Sequence, residues 1–219
     1  MTPAVAGMRG PEIPGFRWVR PLGQGGFADV FLYRQELPSR EVAIKVVRTQ
    51  GDERGTKELH READAMTLLA GHPAVVELHG VGTTADGRAY LVMEYCPVAD
   101  LLTQVRARPM DLEKALDTMI KVCGGVEMFH RQGYVHRDIK PSNIMLDAYG
   151  KPVLADFGVA SKVGQLEVGA FDGFSVLWAP PEQQDVNSPA SPLQDVWALA
   201  STTWTFVTGR SPFEDPIGD

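Results

Sequence analysis

The sequence predicts an α+β protein with two lobes, a β-rich lobe followed by a mainly helical one. Three β-rich runs lie between residues 16 and 47, and two shorter runs follow before residue 95. After Pro97 the apolar residues recur at helical spacing instead. We therefore expect an antiparallel five-stranded sheet with one helix over residues 16–95, and a helical lobe over residues 96–219.

The elements of the first lobe are assigned from the period of their apolar residues. Period-two alternation predicts strands over 16–22, 29–34, 41–47, 75–78 and 89–95. Residues 56–70 change to helical spacing and stop at Gly71. Residues 1–15 contain several Pro and Gly but no apolar signal-peptide core, so we expect them to form a flexible leader.

The second lobe is assigned in the same way. Helical spacing predicts helices over 100–107, 111–132, 181–184 and 194–208. The last of these is nearly all apolar, so we expect it at the centre of the lobe. The stripe expected to be buried on the helix over 111–132 comprises Leu112, Leu116, Met119, Ile120, Cys123, Val126, Phe129 and His130.

The composition is that of a globular protein. The 219 residues include 21 Lys and Arg against 28 Asp and Glu, which gives a formal net charge of −7. This excludes a collagen and a disordered acidic tail, and the negative charge argues against nucleic-acid binding. Cys96 and Cys123 are too few for a disulfide framework, and we expect two buried reduced thiols. No uncharged apolar run is long enough for a spanning helix, so we expect a cytoplasmic protein without a membrane segment.

A glycine-rich loop and a potential ion pair carry the chemistry of the first lobe. The run Gly23-Gln24-Gly25-Gly26 lies between two predicted strands, where glycines let backbone N–H groups approach a phosphate. Alone, such a run is more often an ordinary hairpin. Lys45 lies in an apolar strand, and Glu62 follows on the predicted helix. A pair between them would neutralise a partly buried amine.

The second lobe carries a denser cluster. Residues 136–143 read His-Arg-Asp-Ile-Lys-Pro-Ser-Asn and follow a helix stop. An Asp beside a Lys can accept a hydroxyl proton while the Lys offsets phosphate charge, and an Asn oxygen can bind a metal. Asp156-Phe157-Gly158 follows an apolar strand-like run, and a carboxylate at a strand end is a suitable Mg²⁺ ligand.

The order of these motifs resembles that of the eukaryotic-like protein kinases. After the five motifs above come Pro180-Pro181-Glu182 and Asp195-Val196-Trp197, and the resemblance covers residues 16–213. Lys140, two residues after Asp138, is typical of the serine/threonine type. The overall style is similar to that of bacterial members.

The resemblance implies a bilobal kinase-like fold and transfer of the γ-phosphate of ATP to a protein hydroxyl, with Mg²⁺, or Mn²⁺, as the metal. It implies that Asp138 orients the attacking hydroxyl and takes its proton, while Lys140 contacts the γ-phosphate. Asn143 and Asp156 would hold two metal ions.

In the first lobe, the resemblance implies that Lys45 holds the α- and β-phosphates and pairs with Glu62. Met93 is similar to the family's gatekeeper residue. The other nucleotide-binding positions that it implies are Gly23, Gly25, Val30, Ala43, Glu94, Cys96, Asp100 and Met145.

The segment after Asp156 departs from the family pattern. Residues 156–182 contain no Thr or Tyr, although Arg137, which binds an activation-loop phosphate in the family, is present. Either Glu167 or Asp172 supplies the anion, or activation does not use loop phosphorylation, or Arg137 is solvated and unpaired. Ser175 stands where the family has a structural Thr that bonds the catalytic Asp and Lys.

Two further departures concern the loop and the end of the chain. Ala28 stands at the third glycine of the glycine-rich loop. Family members continue past Phe213 with about three more helices, in domains of roughly 250–300 residues, so we expect a C-lobe that lacks its last helices. The helix from Asp195 would then be under-covered, which favours self-association.

The sequence leaves two functions other than a protein kinase open. A pseudokinase or nucleotide-binding interaction module would share the fold, although the presence of Lys45, Glu62, Asp138, Asn143 and Asp156 favours an enzyme. A small-molecule phosphotransferase is disfavoured by Lys140 and by the Pro-Pro-Glu and Asp-Val-Trp elements.

Overall fold

A computed structural model of the chain describes residues 8–98, 101–166, 175–185 and 187–214. They form two compact units. The first unit comprises the described residues up to Ala70 together with Val76–Pro97. The second comprises Gly71–Val75 and the described residues from Val98 onward.

The first unit is an antiparallel five-stranded sheet with one helix, as predicted. Its elements are β1 (Phe16–Gln24), β2 (Ala28–Gln35), β3 (Arg40–Val47), α1 (Glu53–Leu68), β4 (Leu78–Thr83) and β5 (Ala89–Glu94). The strands pair in the order β1-β2-β3-β5-β4, and all the pairings are antiparallel.

The prediction of a strand over 75–78 was wrong, as the position of β4 shows. The strand instead begins at Leu78, and it contains Gly80 and Gly82, which weaken the β signal of that segment. Val75 belongs to the second unit, where it forms an isolated parallel bridge with Leu154. Its apolar character therefore reflects burial in the second unit and not a place in the large sheet.

The two faces of the sheet pack against different parts of the first unit. One face carries an apolar core that consists of Ile13, Phe31, Tyr33, Val42, Ile44, Val46 and Val92. Tyr33 Oη donates a hydrogen bond to the carbonyl of Pro11 at 2.7 Å. The described part of the expected leader, residues 8–15, therefore packs on this face. The opposite face carries Lys45, which reaches α1 through Glu62.

The second unit is mainly helical, as predicted. Its elements are α2 (Leu101–Ala107), α3 (Leu112–Arg131), β6 (Tyr134–Val135), β7 (Ile144–Leu146), β8 (Pro152–Leu154), β9 (Ser161–Lys162) and α4 (Pro192–Thr208), with 3-10 helices at Pro141–Asn143 and Pro181–Gln184. The short strands pair as β6 with β9 and β7 with β8. Among the described residues of the whole chain, no helix has the length and apolar character needed to cross a membrane.

The buried face of α3 differs from the predicted stripe. Leu112, Leu116 and Ile120 are exposed, and the Cys123 thiol is exposed as well, whereas Cys96 is buried as expected. The helix instead buries a face that includes small residues such as Gly125, where a Cβ would lie 3.1 Å from Val75 Cγ2. Close approach of the backbone thus selects this face, and a periodicity based on large apolar residues does not detect it.

The helix α4 is less enclosed than its predicted place at the centre of the lobe implies. Leu193, Val196 and Trp204 are exposed, and its buried face is rich in polar residues that include Asp195 and Thr202. Burial of this helix therefore does not follow from its overall apolar character. Its polar buried face serves hydrogen bonds within the second unit.

Ser191 caps α4 with a capping box, in which the Ser191 side chain accepts from Leu193 N and Gln194 reaches back to the Ser191 backbone. We expect Ser191→Ala to lower the free energy of unfolding by about 1 kcal/mol. Urea unfolding followed by circular dichroism measures this change, with Ser188→Ala in the preceding loop as the control. Equal stability of the two variants would contradict the role of the cap.

Candidate active site

Lys45 and Glu62 form a buried ion pair in the first unit. Lys45 Nζ donates to Glu62 Oε1 at 2.9 Å and to Oε2 at 2.7 Å, and both residues are buried. Lys45 lies on β3 and Glu62 on α1, so the pair joins the sheet to the helix. A charge buried at this depth requires a partner, and each of these side chains supplies it for the other. The predicted pair is therefore present.

The predicted nucleotide-binding residues of the sheet share one face. Lys45 pairs with Val30 across β2 and β3, and Ala43 pairs with Met93 across β3 and β5. Ala43 and Lys45 are two residues apart, so their side chains lie on the same side of the strand. Gly23 is the pairing partner of Val30 on β1. The structure therefore brings these five predicted residues together.

Glu94, Cys96 and Asp100 were expected to follow the sheet as nucleotide contacts. Glu94 ends β5, and its backbone N–H donates to the carbonyl of Glu77 at 2.8 Å. Any ligand contact of the Glu94 backbone therefore falls to its carbonyl. Cys96 is buried, whereas Asp100 lies outside the described residues.

The carboxylate of Asp138 is the centre of a hydrogen-bonded cluster in the second unit. Lys140 Nζ donates to Asp138 Oδ2 at 2.7 Å, and Asn143 Nδ2 donates to the same oxygen at 2.9 Å. The backbone N–H of Ser175 donates to Oδ1 at 3.1 Å. Lys140 also donates to Ser175 Oγ at 2.6 Å. Ser175 thus makes the contacts expected of the family's structural Thr.

Burial raises the pKa of the Asp138 carboxyl, and the neighbouring Lys140 charge opposes this rise. A carboxylate with a raised pKa is a better proton acceptor near neutral pH than an ordinary Asp. The three donors to this carboxylate also restrict its orientation. Asp138 is therefore both positioned and electrostatically suited to accept a proton from a hydroxyl.

Asp195 anchors the segment that carries Asp138. Its fully buried carboxylate accepts the backbone N–H groups of His136 and Arg137, each at 2.8 Å, and lies 2.7 Å from His130 Nε2. Arg137 has a φ of 69°, in the left-handed region that non-glycine residues rarely adopt. Gln183 Nε2 donates to the Arg137 carbonyl at 2.7 Å, so both sides of this strained residue are hydrogen-bonded.

The role of Gln183 was not recognised in the sequence, where it is only a polar residue after Pro-Pro-Glu. No periodicity marks it, because it lies in a 3-10 helix of four residues. Its contact with Arg137 spans 46 positions of the chain. Only the tertiary structure identifies such a residue.

Arg137 was expected to bind an anion or to be solvated. It is buried, and its Nη1 donates to Ser161 Oγ at 2.9 Å, so the solvated alternative is wrong. Glu167 and Asp172, the proposed sources of an anion, lie outside the described residues. Ser161 lies on β9 and is the hydroxyl closest in sequence after Asp156.

Asn143 and Asp156, the predicted metal ligands, supply oxygen atoms suited to a divalent cation. The Asn143 amide nitrogen is taken by Asp138, which leaves the Asn143 oxygen on the other side of the amide. The two residues are linked through the backbone, since Ala155 N donates to the Asn143 carbonyl at 2.9 Å. Asp156, two residues after the end of β8, has a φ of 64°. Met145 lies two residues after Asn143 on β7, where it pairs with Val153 of β8.

The donor set fits a metal that is held mainly by its substrate. Among the described residues, no three His, Cys, Asp or Glu side chains cluster closely enough to hold a metal ion. Mg²⁺ characteristically takes one or two protein oxygens and completes its shell with phosphate oxygens and water. An Asn and an Asp are sufficient for such a site.

His136 is fully buried beside the catalytic segment. Its Nδ1 accepts the backbone N–H of Asp138 at 3.3 Å, and its ring centroid lies 4.7 Å from that of Phe157. Burial lowers the pKa of His136, although the carboxylates of Asp195 and other acids oppose the effect. The imidazole is therefore neutral at pH 7 and acts as a hydrogen-bond acceptor in the core.

Comparison with known proteins assigns the family. The profile of the protein kinase domain matches residues 16–219. The chain therefore belongs to the protein kinase domain family, and its fold is the protein kinase fold. ATP and a divalent metal are the cofactors that this family generally uses.

Bacterial serine/threonine-protein kinases are among the proteins similar to this chain. PknK of Mycobacterium tuberculosis (strain ATCC 25618 / H37Rv) is 38% identical over 218 residues, covering 95% of this chain and 20% of PknK. PrkC of Bacillus subtilis (strain 168) is 32% identical over 211 residues, covering 94% of this chain and 32% of PrkC. The chain thus spans about a fifth of the length of PknK.

The buried His136 makes stability dependent on pH. Because its folded pKa lies below the unfolded value of about 6.5, the unfolded chain binds the extra proton and stability falls as the pH drops through that value. Relative to His136→Phe, the wild type should lose up to about 1.4 kcal/mol per pH unit below pH 6.5. Thermal unfolding at a series of pH values measures this difference. Parallel pH profiles of the two proteins would contradict it.

Proposed function

We propose that this chain is the catalytic domain of an ATP- and divalent-metal-dependent serine/threonine protein kinase. The observation that carries the proposal is the buried Asp138 carboxylate, held by Lys140, Asn143 and Ser175. Such a group can orient a substrate hydroxyl and accept its proton, while the Lys140 ammonium stabilises charge on the transferred phosphoryl group. The names of PknK and PrkC as serine/threonine-protein kinases support the same acceptor class.

The two units would have separate roles. We assign residues 16–95 to the N-lobe and residues 96–219 to the C-lobe. In the N-lobe, Lys45 would bind the α- and β-phosphates, because its pairing with Glu62 fixes the direction of the ammonium group. Val30, Ala43 and Met93 provide an apolar face suited to an adenine ring.

The C-lobe would hold the metal through the oxygens of Asn143 and Asp156. We propose Mg²⁺ as the natural ion and Mn²⁺ as a substitute, because both accept hard oxygen ligands. When bound, the ion supplies charge neutralisation of the phosphates. The chain's own residues orient the acceptor and remove its proton.

The proposed cellular location of the domain, and its proposed class of substrate, follow from its chemistry and charge. A kinase that uses ATP and carries free thiols is suited to the cytoplasm, where both ATP and reduced cysteines are found. The net charge of −7 disfavours binding to nucleic acid. A protein is therefore the proposed substrate.

Removal of the Asp138 carboxylate should abolish transfer. We expect Asp138→Asn to lower kcat by at least about a hundredfold, the usual contribution of a general base, with nucleotide affinity little changed. Transfer of labelled γ-phosphate to a generic basic protein, assayed with Mg²⁺ and with Mn²⁺, measures the effect. Asp117→Asn on the exposed side of α3 is the matched control, since it removes a carboxylate that pairs with Lys121 on the surface.

Three results are distinguishable in that assay. Full activity of Asp138→Asn would overturn the assignment of the base. A wild-type chain that binds nucleotide but transfers no phosphate would support a pseudokinase or interaction module instead. Phosphate transfer by the wild type and by Asp117→Asn, but not by Asp138→Asn, supports the kinase.

We further propose that the domain self-associates through the C-lobe. Leu112, Leu116 and Ile120 lie at successive turns of α3 with 62%, 45% and 71% of their surface exposed. On α4, Val196 and Trp204 are also exposed. Large apolar side chains at such spacing are typical of a surface that another chain covers.

A charge introduced into this apolar surface should dissociate the assembly. We expect Ile120→Lys and Trp204→Lys each to shift the mass measured by light scattering toward that of a monomer. Tyr149→Lys, at a highly exposed position in a turn, is the control and should leave the mass unchanged. A wild-type protein that stays monomeric at high concentration would contradict self-association.

A further inference from the structure

Arg48 contacts the glycine-rich loop, although the sequence motifs do not include it. It follows the last residue of β3, and its backbone N–H donates to the Phe27 carbonyl at 2.9 Å. Its guanidinium donates from Nη2 to the Gly25 carbonyl at 2.6 Å and from Nη1 to the Gly26 carbonyl at 3.3 Å. One side chain thus binds two consecutive carbonyls of the loop.

Asp29 holds the Arg48 guanidinium in this position. Arg48 Nη2 lies 3.0 Å from Asp29 Oδ1, and the Asp29 side chain is 11% exposed whereas that of Arg48 is 45% exposed. A carboxylate buried to this extent requires a charged partner. The planar guanidinium has five donors in a rigid fork, so it can bind the carboxylate and the loop carbonyls at once.

This contact fixes the direction of the loop N–H groups. In a trans peptide the carbonyl of one residue and the N–H of the next point in opposite directions. Since the carbonyls of Gly25 and Gly26 face Arg48, the N–H groups of Gly26 and Phe27 face away from it. Within the described part of the chain, neither of these N–H groups donates a hydrogen bond to the protein.

The rest of the loop is also ordered around this arrangement. Gly25 N–H donates to the Ala28 carbonyl at 2.8 Å, which closes the turn. The Phe27 ring centroid lies 5.4 Å from Lys45 Nζ, so the tip of the loop lies beside the lysine. Two adjacent outward N–H groups near an ammonium form a concave site for an anion.

We propose that Arg48 is a positioning residue that latches the glycine-rich loop, with Asp29 as its anchor, and aims the N–H groups of Gly26 and Phe27 at the phosphates of the nucleotide. The part concerning phosphates rests on the proposed kinase function. The latch itself is a property of the first unit alone. A loop ordered in advance loses less conformational entropy when it binds its ligand, which raises affinity.

A measurement of nucleotide binding in the absence of catalysis tests whether Arg48 raises the affinity for the nucleotide. Titration with a fluorescent ATP analogue should show Kd raised about tenfold in Arg48→Ala, the loss expected for one charge-assisted hydrogen bond. Arg48→Lys should be intermediate, because a single ammonium cannot span both carbonyls and the carboxylate. In the transfer assay, KM for ATP should rise more than kcat falls.

A matched arginine controls for loss of surface charge. Arg34 lies on β2 and pairs with Glu41 at 3.7 Å, with 58% of its side chain exposed. Arg34→Ala should leave Kd within about twofold, since exposed pairs contribute little. The double variant Asp29→Asn with Arg48→Ala avoids a buried unpaired carboxylate, and it replaces Arg48→Ala if the single variant does not fold.

Hydrogen exchange of the nucleotide-free protein tests the latch directly. The N–H groups of Gly25 and of residue 48 are hydrogen-bonded within the loop region, and both should lose about tenfold of their protection in Arg48→Ala, with rates compared after correction for the intrinsic exchange rate of the residue at position 48. The inference requires faster exchange together with weaker nucleotide binding. If hydrogen exchange is unchanged in Arg48→Ala, Arg48 does not latch the loop. If the Kd for the nucleotide is unchanged, the latch does not direct the loop N–H groups at the phosphates.

Failure of the proposed function gives a different result. A wild-type chain that binds no nucleotide refutes the kinase assignment and the phosphate part of this inference together. The exchange measurement then still decides whether Arg48 latches the loop.

Discussion

The segment that carries Asp138 depends on one buried carboxylate, that of Asp195. It is fully buried, and its two oxygens accept the N–H groups of His136 and Arg137, while His130 Nε2 lies beside one of them. A charge in that position is tolerated only when its hydrogen-bonding capacity is satisfied. The same bonds stabilise the left-handed backbone of Arg137, and this backbone turn leads directly to Asp138.

Pairing of buried charge also organises the first unit. The Lys45 ammonium and the Glu62 carboxylate are mutually bonded in a site from which water is largely excluded, so neither can reorient without a large cost. Arg48 and Asp29 use the same principle at the edge of the unit, where partial exposure weakens the pair but leaves the arginine free to bind backbone carbonyls as well. In the first unit, charged side chains thus determine where the backbone lies, and the backbone in turn positions the functional groups.

Prediction from sequence succeeded where a residue's role depends on local pattern. β1, β2, β3, β5, α1 and α3 have strong periodicity, and the motif residues Lys45, Glu62 and Asp138 are recognisable because their spacing along the chain is distinctive. It failed where a role depends on packing. The stripe on α3 was right for Met119, Val126 and Phe129, which are buried. It was wrong elsewhere, because a large apolar residue such as Ile120 can be exposed, while Gly125, which has no side chain, is buried by close approach of Val75.

The sequence by itself therefore determined the family and the fold class, and it predicted which groups would be reactive, because motif order and periodicity are properties of the chain. Only the tertiary structure decided how those groups are held. Gln183 on the Arg137 carbonyl, Ser161 on its guanidinium and Arg48 on the glycine loop are contacts between residues far apart in sequence. Hydrogen bonds depend on distance and angle in space, and neither can be read from separation along the chain.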